Sequence, residues 1–464
     1  MVSTQYGLIR TIQVRNANVP GVLGALATAV GQAGANIGNI VTVHISQNHV
    51  VRDIDVLVRD ETHLADVLYN LNSLDHVDVL ETRDEVLGLH RGGKIEMVSR
   101  HPVDSIATLR KVYTPGVADV CLRIAGDPDL ARLYTTIHRT VAIVTDGSAV
   151  LGLGNIGLAP SMPVMEGKAA LLHQFVGVSG VPLLIDSSSI DEFVEAVVRI
   201  APTFGGIHIE DVAAPSCFEI VERLRQRLHM PVMQDDQDGT AAVVLGAVLA
   251  ASKATQLPLR QLTIGQIGLG AAGQAVADLL MHTTNNPVLG ADLSGESLER
   301  HKSHGGIPSD IEEIMKTAHL VVATTGVKGL IKPEMVQPGQ IILALSNPDS
   351  EIDPQVALDH GARLAADGRS VNNVLGYPGI WSGALRSQAT EINREMLVAV
   401  GQCLAELAPE GELMPNPLDL DVHRRVAYAV ARAAVATGVG AEMGAEELEV
   451  WSGGYLGLDF RRWA

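Results

Sequence analysis

Hydrophobic positions along the chain recur at two periods, and the switches between them mark out short strands and amphipathic helices. Residues 8–14 alternate as a strand does. Pro20-Gly21 opens a helix, since proline suits the first helical turn. Val22, Leu23, Leu26 and Val30 give that helix an apolar face, and Gly34-Ala35-Asn36 ends it. Residues 41–45 and 50–58 read as paired strands around Gln47-Asn48, residues 62–71 as a second helix and residues 77–80 as a last strand. The order is βαββαβ. Residues 87–98, centred on Arg91-Gly92-Gly93-Lys94, read as a linker.

Beyond residue 101 the pattern becomes an α/β alternation. Asp104-Ser105 caps a short helix through residue 112, and Pro115 holds Tyr113 in an extended or turned loop. Residues 119–125 read as a further helix, and residues 140–144 as an apolar strand ending at Thr145-Asp146-Gly147. The stretch 206–240 organises the rest. Ile207-His208-Ile209 is a β-branched run that stops at Glu210-Asp211, and Pro231-Val232-Met233 is a second short strand that stops at Asp235-Asp236. Between them Phe218, Val221, Leu224 and Leu228 recur at helical spacing. A crossover of this length makes the strands parallel neighbours, roughly 4.8 Å apart. Their acids then crowd at the carboxyl ends of one sheet, where α/β proteins place ligands. Carboxylates that close raise one another's pKa. A hard divalent cation resolves the conflict, and all-oxygen ligation favours Mg²⁺ or Mn²⁺.

Two glycine-rich stretches compete for a dinucleotide. Gly152-Leu153-Gly154-Asn155-Ile156-Gly157 has the letters of the fingerprint, but Pro160 and Pro163 follow and are expected to prevent the helix it needs. Gly268-Leu269-Gly270-Ala271-Ala272-Gly273 lies between a strand at 262–267 and a helix at 274–281. Its glycines allow the tight turn, close approach to a pyrophosphate, and helix-on-strand packing. The next strand, 287–291, ends at Asp292, where an acid takes the ribose hydroxyls. Residues 320–324 and 341–345 continue the sheet, so Asn347 and Asn373 fall at strand ends or tight loops on the ligand side. Asparagine also favours turns for its own reasons. Residues 392–407 and 422–437 are closing helices. Val164-Met165-Glu166-Gly167-Lys168 opens another helix. A lysine near a positive helix end with apolar neighbours has a lowered pKa, which suits Lys168 to a general base.

A chain of 464 residues holds two to four domains. Its net charge of -19 argues against nucleic acid or an anionic membrane as partner. The apolar run at 241–251 falls short of the roughly 20 residues that span a bilayer. The N-terminus has no signal-peptide pattern. Cys121, Cys217 and Cys403 are dispersed, which suits a reducing cytoplasm and excludes a cysteine zinc site.

Residues 1–86 resemble an ACT domain, a ferredoxin-like α+β fold. Asn18-Val19-Pro20-Gly21-Val22-Leu23 is similar to that family's strand-to-helix turn, where a small effector often binds at a dimer interface. From about residue 101 to 440 the chain resembles bacterial malic enzymes. The resemblance rests on Tyr113-Thr114-Pro115-Gly116-Val117-Ala118, Thr145-Asp146-Gly147 with the stretch 151–157, Glu166-Gly167-Lys168, Ile209-Glu210-Asp211, Asp235-Asp236, Gly239-Thr240, Ser346-Asn347-Pro348 and Asn372-Asn373-Val374. It implies a catalytic and metal domain at 87–238, a Rossmann-type NAD domain at 239–440 and a tail at 441–464. Trp451, Tyr455, Phe460 and Trp463 give that tail an aromatic cluster suited to docking on another surface.

The resemblance also implies roles. Glu210, Asp211 and Asp236 look like metal ligands, with Asp235 beside them. Lys168 resembles the base that takes the malate hydroxyl proton, and Tyr113 the acid that protonates the enol. Asn347, Asn372 and Asn373 resemble malate and cofactor contacts. Gln234 and Asp238 stand where many bacterial members have His, and Ala149 where animal-type members carry a substrate arginine. The expected reaction is NAD-dependent oxidative decarboxylation of L-malate to pyruvate by a cytoplasmic homodimer or homotetramer. NAD is preferred to NADP because Asp292 would repel a 2′-phosphate. Malolactic or non-decarboxylating turnover on the same scaffold is the nearest alternative. A non-catalytic nucleotide-binding regulator is the other, and the complete set of Lys168, Tyr113 and acids speaks against it.

Overall fold

Strand β1 (Leu8–Ala17) buries Ile12, Val14 and Asn16 and exposes Arg15, the period-two signature of a sheet with one covered face. It is central in a sheet of order β2-β3-β1-β4, with β2 (Asn36–Ile45), β3 (His49–Val58) and β4 (Val77–Arg83) all pairing antiparallel. Helices α1 (Val22–Gln32) and α2 (Glu61–Asn72) close one face: Leu26, Val30, Val67 and Leu71 join Ile12, Ile54 and Val56 in one core. This is the expected ferredoxin-like arrangement. The short helix α3 (Glu85–His90), capped by Asp84, belongs to the same unit, although sequence places a linker from residue 87. The Arg10–Asp84 ion pair at 2.9 Å ties its start to β1.

The computed structural model describes residues 7–150, 153–347 and 349–441. The chain divides into two compact units, one ending at Glu96 and the other starting at Met97. The tail aromatics Trp451, Tyr455, Phe460 and Trp463, with Gly152 and Pro348, lie outside the described residues.

The second unit begins with three short helices, α4 (Ile106–Val112), α5 (Val117–Gly126) and α6 (Leu130–Tyr134), none of which has a buried residue. Ser105 caps α4 by accepting from the Thr108 amide, as its sequence predicts. Two parallel sheets follow. The first has the order β6-β5-β7-β8, with β5 (Thr140–Thr145), β6 (Ser179–Leu184), β7 (Gly206–Ile209) and β8 (Val232–Gln234). Its connecting helices are α7 (Leu158–Val176), α8 (Ile190–Ile200) and α9 (Ser216–Arg227). Helix α10 (Thr240–Thr255) leads onward and is apolar nearly all round. Its side chains share a single core with Val141 and Ile143 of β5 and with Leu320 and Leu343 from the second sheet.

That second sheet is β9 (Ile264–Ile267), β10 (Leu289–Ala291), β11 (Ile307–Pro308), β12 (Leu320–Ala323), β13 (Ile341–Ala344) and β14 (Leu364–Asp367). All pairs are parallel, in the order β11-β10-β9-β12-β13-β14. Helices α11 (Ala271–Thr284), α12 (Gly295–Ser303), α13 (Ile311–Thr317) and α14 (Pro354–Asp359) link the strands. The strand order reverses between β9 and β12, which makes the crevice outside their carboxyl ends a nucleotide position. Helices α15 (Tyr377–Arg386), α16 (Arg394–Leu407) and α17 (Leu420–Ala436) complete the core.

Two sequence expectations fail in α7. The helix begins at Leu158 despite Pro160 and Pro163. Pro160 falls in the first turn, whose N–H groups have no intrahelical acceptor to lose. Because the helix starts that early, Lys168 lies in its middle and not near its positive end.

Candidate active site

β7 and β8 end side by side, with Ile209 paired to Gln234, so the acids that follow them converge. Carboxylate oxygens of Glu210, Asp211 and Asp236 lie within 4.8 Å of one another. The backbone shapes this meeting. Asp211 adopts the left-handed region at φ 53°, and its amide donates to Asp236 Oδ2 at 3.2 Å. After β8 the residues Asp235–Gly239 make a π-helical turn, a rare geometry that recurs at functional sites. It turns Asp235 inward beside Gly239, where an added Cβ would stand 1.9 Å from Asp235 Oδ1.

Lys168 enters from α7. Its ammonium donates to Asp235 Oδ2, lies 3.2 Å from Glu210 Oε1 and sits 4.4 Å from the centre of the Tyr377 ring. Asn373 donates to the same Asp235 oxygen at 2.7 Å. Asp235 Oδ1 is buried with no hydrogen-bond partner among the described residues. Glu210 receives a second contact from His208, whose Nε2 is 2.6 Å from Oε2.

The electrostatics follow from burying four acids with one ammonium. Burial pushes the Asp235 carboxyl up to about 6 against the pull of Lys168. Burial and then the Glu210 charge push Asp236 up to about 6 as well. Burial also raises Glu210, opposed by Lys168. For Lys168 burial works downward, but the charges of Asp235 and Glu210 outweigh it and hold the ammonium well above its ordinary value. The expectation of a lowered Lys168 pKa is therefore corrected. The lysine is mid-helix, and its neighbours are anionic as well as apolar. Burial brings His208 down to about 4, so it is neutral at physiological pH.

The glycine-rich turn 268–273 joins β9 to α11 with close backbone approaches. Gly268 follows β9 at φ 89°, and a Cβ there would lie 2.9 Å from the Thr324 carbonyl across the switch point. Gly273 packs so tightly that its Cβ would meet Gly268 O at 1.9 Å, while Gly270 faces open space at the start of α11. Ala271 and Ala272 form the first turn of that helix, whose N-terminal amides suit a pyrophosphate. Asp292 accepts from the Leu269 amide at 2.7 Å and the Ser294 amide at 2.8 Å.

Other expected residues lie apart. Tyr113 ends α4, is 67% exposed, and makes no hydrogen bond to Lys168, whose ammonium is held by Asp235 and Glu210. Asn347 donates to the Gly368 carbonyl at 3.3 Å. Asn372 caps the turn before α15 by accepting from the Val374 amide. Three residues at the site escape the sequence reading: His208, Tyr377 and Trp381. Period two places His208 on the same side of β7 as Glu210, and a four-residue spacing places Tyr377 and Trp381 on one face of α15. Those two spacings were the available signals.

Two parallel sheets, a Rossmann-order crevice and a buried lysine–carboxylate cluster define an oxidoreductase scaffold. Residues 92–225 match the malic enzyme N-terminal domain and residues 8–81 match an ACT domain. The chain belongs to the malic enzyme family. It is 50% identical over 430 residues to NAD-dependent malic enzyme 1 of Bacillus subtilis, covering 92% of this chain and 98% of that protein. It is 38% identical to the NAD-dependent malic enzyme of Geobacillus stearothermophilus, covering 93% and 94%. Among solved structures, the malic enzyme of Pyrococcus horikoshii is similar at a TM-score of 0.75 and 37% identity, covering 79% of this chain and 94% of that one.

Proposed function

We propose that the protein catalyses L-malate + NAD⁺ → pyruvate + CO₂ + NADH with a divalent metal, Mg²⁺ or Mn²⁺. The observation that carries this reading is the meeting of Lys168 with Glu210, Asp235 and Asp236 at the ends of β7 and β8. The set Glu210, Asp211 and Asp236 fits a hard cation: each of its ligand atoms is a carboxylate oxygen, and the buried acids outnumber the one ammonium. Glu210, Asp211 and Asp236 would hold it. When bound, the ion supplies Lewis acidity toward the malate C2 oxygen and cancels the negative charge that holds the proton on Lys168. Once its own proton has left to solvent, the neutral Lys168 amine takes the C2 hydroxyl proton, and Asp235, fixed by Asn373, keeps Nζ in place for it. The Gly268–Gly273 turn would hold the NAD pyrophosphate and Asp292 its ribose hydroxyls, and the Asp292 charge disfavours a 2′-phosphate.

Pyruvate formation also needs an acid that delivers a proton to C3. Tyr113 is assigned that part by its motif. It lies on the exposed surface of α4 to α6, which also carries Ile106, Leu109, Leu122 and Leu133. That apolar surface, with Ile40, Val41, Val43 and Ile45 exposed on β2 of the first unit, supports assembly as a homodimer or homotetramer. Light scattering in solution reads the chain number directly. The ACT domain is read as the seat of a small regulatory effector. The dispersed free cysteines support a reducing, cytoplasmic setting.

The test is absorbance at 340 nm with L-malate, Mn²⁺ and either NAD or NADP, with pyruvate quantified. NADH and pyruvate appearing one for one, and stopping with EDTA, is the expected result. A relative 39% identical is a bifunctional malic/malolactic enzyme, so lactate is assayed alongside. Lactate accumulating with no net NADH would replace the oxidative reading with the malolactic one.

A further inference from the structure

Helix α15 lies against β7 so closely that a Cβ on Gly206 would stand 2.2 Å from the Trp381 ring. That approach brings the Trp381 indole to His208, two residues further along the strand. The indole N–H donates to His208 Nδ1 at 2.8 Å. An indole nitrogen can only donate, so Nδ1 must accept. The neutral ring therefore carries its proton on Nε2, and Nε2 donates to Glu210 Oε2 at 2.6 Å. Tyr377, one turn before Trp381, packs edge-on to the same ring with centroids 5.8 Å apart. The other Glu210 oxygen faces Lys168 at 3.2 Å. Both oxygens of this buried carboxylate are thus directed, one by His208 of β7 and the other by Lys168 of α7.

His208, Glu210 and Asp235 also lie close enough to form a ligand set of their own. The hydrogen bonds argue against that use of the histidine. One ring nitrogen accepts from Trp381 and the other donates to Glu210, which leaves no lone pair for a metal.

We propose that Trp381 and His208 are positioning residues for the metal site: the indole fixes the histidine tautomer, and the histidine fixes the orientation of Glu210. This rests on the reading that Glu210, Asp211 and Asp236 hold the cation. Hydrogen-bonded partners of this kind orient ligands in metal sites, and their loss weakens metal binding about 10- to 100-fold.

The test measures Mn²⁺ binding by electron paramagnetic resonance on the full-length protein without malate or NAD. Trp381→Phe and His208→Leu should each weaken Mn²⁺ binding about 10- to 100-fold while NAD binding is retained. His208→Gln should stay within about threefold of wild type, because its amide can accept from the indole and donate to Glu210. A purely structural role predicts a different pattern: lower melting temperatures with Mn²⁺ affinity unchanged in Trp381→Phe and His208→Leu. That pattern overturns the proposal. If Trp381→Phe does not fold, the contrast between His208→Gln and His208→Leu decides, since neither alters the tryptophan. Asp236→Asn is the reference and should abolish binding. If it bound Mn²⁺ like the wild type, the metal assignment would fall and take the proposal with it. Loss in Asp236→Asn alone would sink only the positioning role. ¹⁵N-histidine spectra, assigned by difference from His208→Gln, should show the Nε2–H tautomer, and an Nδ1–H tautomer would also refute the proposal.

Discussion

At the scale of the residue, Lys168 is the group on which most depends. Lys168→Ala should lower kcat by about 10²–10⁴-fold, the range for a lost acid–base group, with NAD affinity close to wild type. Steady-state kinetics and NAD titration check both halves. A variant retaining more than about a tenth of the wild-type rate would show that the lysine is not the base. The acids carry a pH dependence of definite sign. Asp236 is raised to about 6 by burial and by Glu210, so it takes up a proton as pH falls through that value. A protonated carboxyl cannot ligate, and metal affinity should therefore fall between pH 7.5 and pH 5.5. Mn²⁺ titrations at the two pH values test this; equal affinities would show that Asp236 titrates lower or does not ligate. The positions of these acids were legible in the sequence, because each pair follows a short strand pattern. The protonation of Lys168 was not, since its sign depends on Asp235 and Glu210, which reach it only through the fold.

Among the elements, the strand–helix–strand at 206–240 was readable because its periodicities are local. The π-helical turn Asp235–Gly239 was not: nothing in Asp235-Asp236-Gln237-Asp238-Gly239 announces a widened turn, and it exists because β8 must hand directly to the buried helix α10. Gly239 is the price of that junction. Gly239→Ala would press a methyl into Asp235 Oδ1, 1.9 Å away, and displace the carboxylate that holds Lys168. A shift of about 1 Å at such a group lowers kcat by about 10²-fold. The expected signature is a fall in kcat with NAD binding intact, and wild-type kcat would show that the turn yields without moving Asp235. Helix α7 illustrates the opposite error. Two prolines read as a barrier, yet Pro160 falls in the first turn, which tolerates proline, and the helix carries Pro163 in its interior.

At the scale of the whole molecule, the parallel direction of both sheets in the second unit was foreseeable from the alternation of strands and helices, because parallel strands need crossovers, whereas their strand orders were not. How the two sheets share one core was not, since it depends on which faces of α10 and α15 meet which neighbours. The hydrogen bonds to Asp235 have a consequence for the life of the chain. Lys168 is separated from Asp235 by 67 positions and Asn373 by 138, so three remote stretches must be closed upon one carboxylate. Closing such loops is entropically unfavourable, and the Asn373 contact, which follows β14, is secured only when the second sheet is docked on the first. Catalytic competence is thus a late product of folding and an early casualty of loosening. In rising urea, turnover should disappear at a lower concentration than far-ultraviolet helical signal, and on dilution the signal should return before turnover does. Coincident curves would mean that the sheets assemble and separate as one cooperative body.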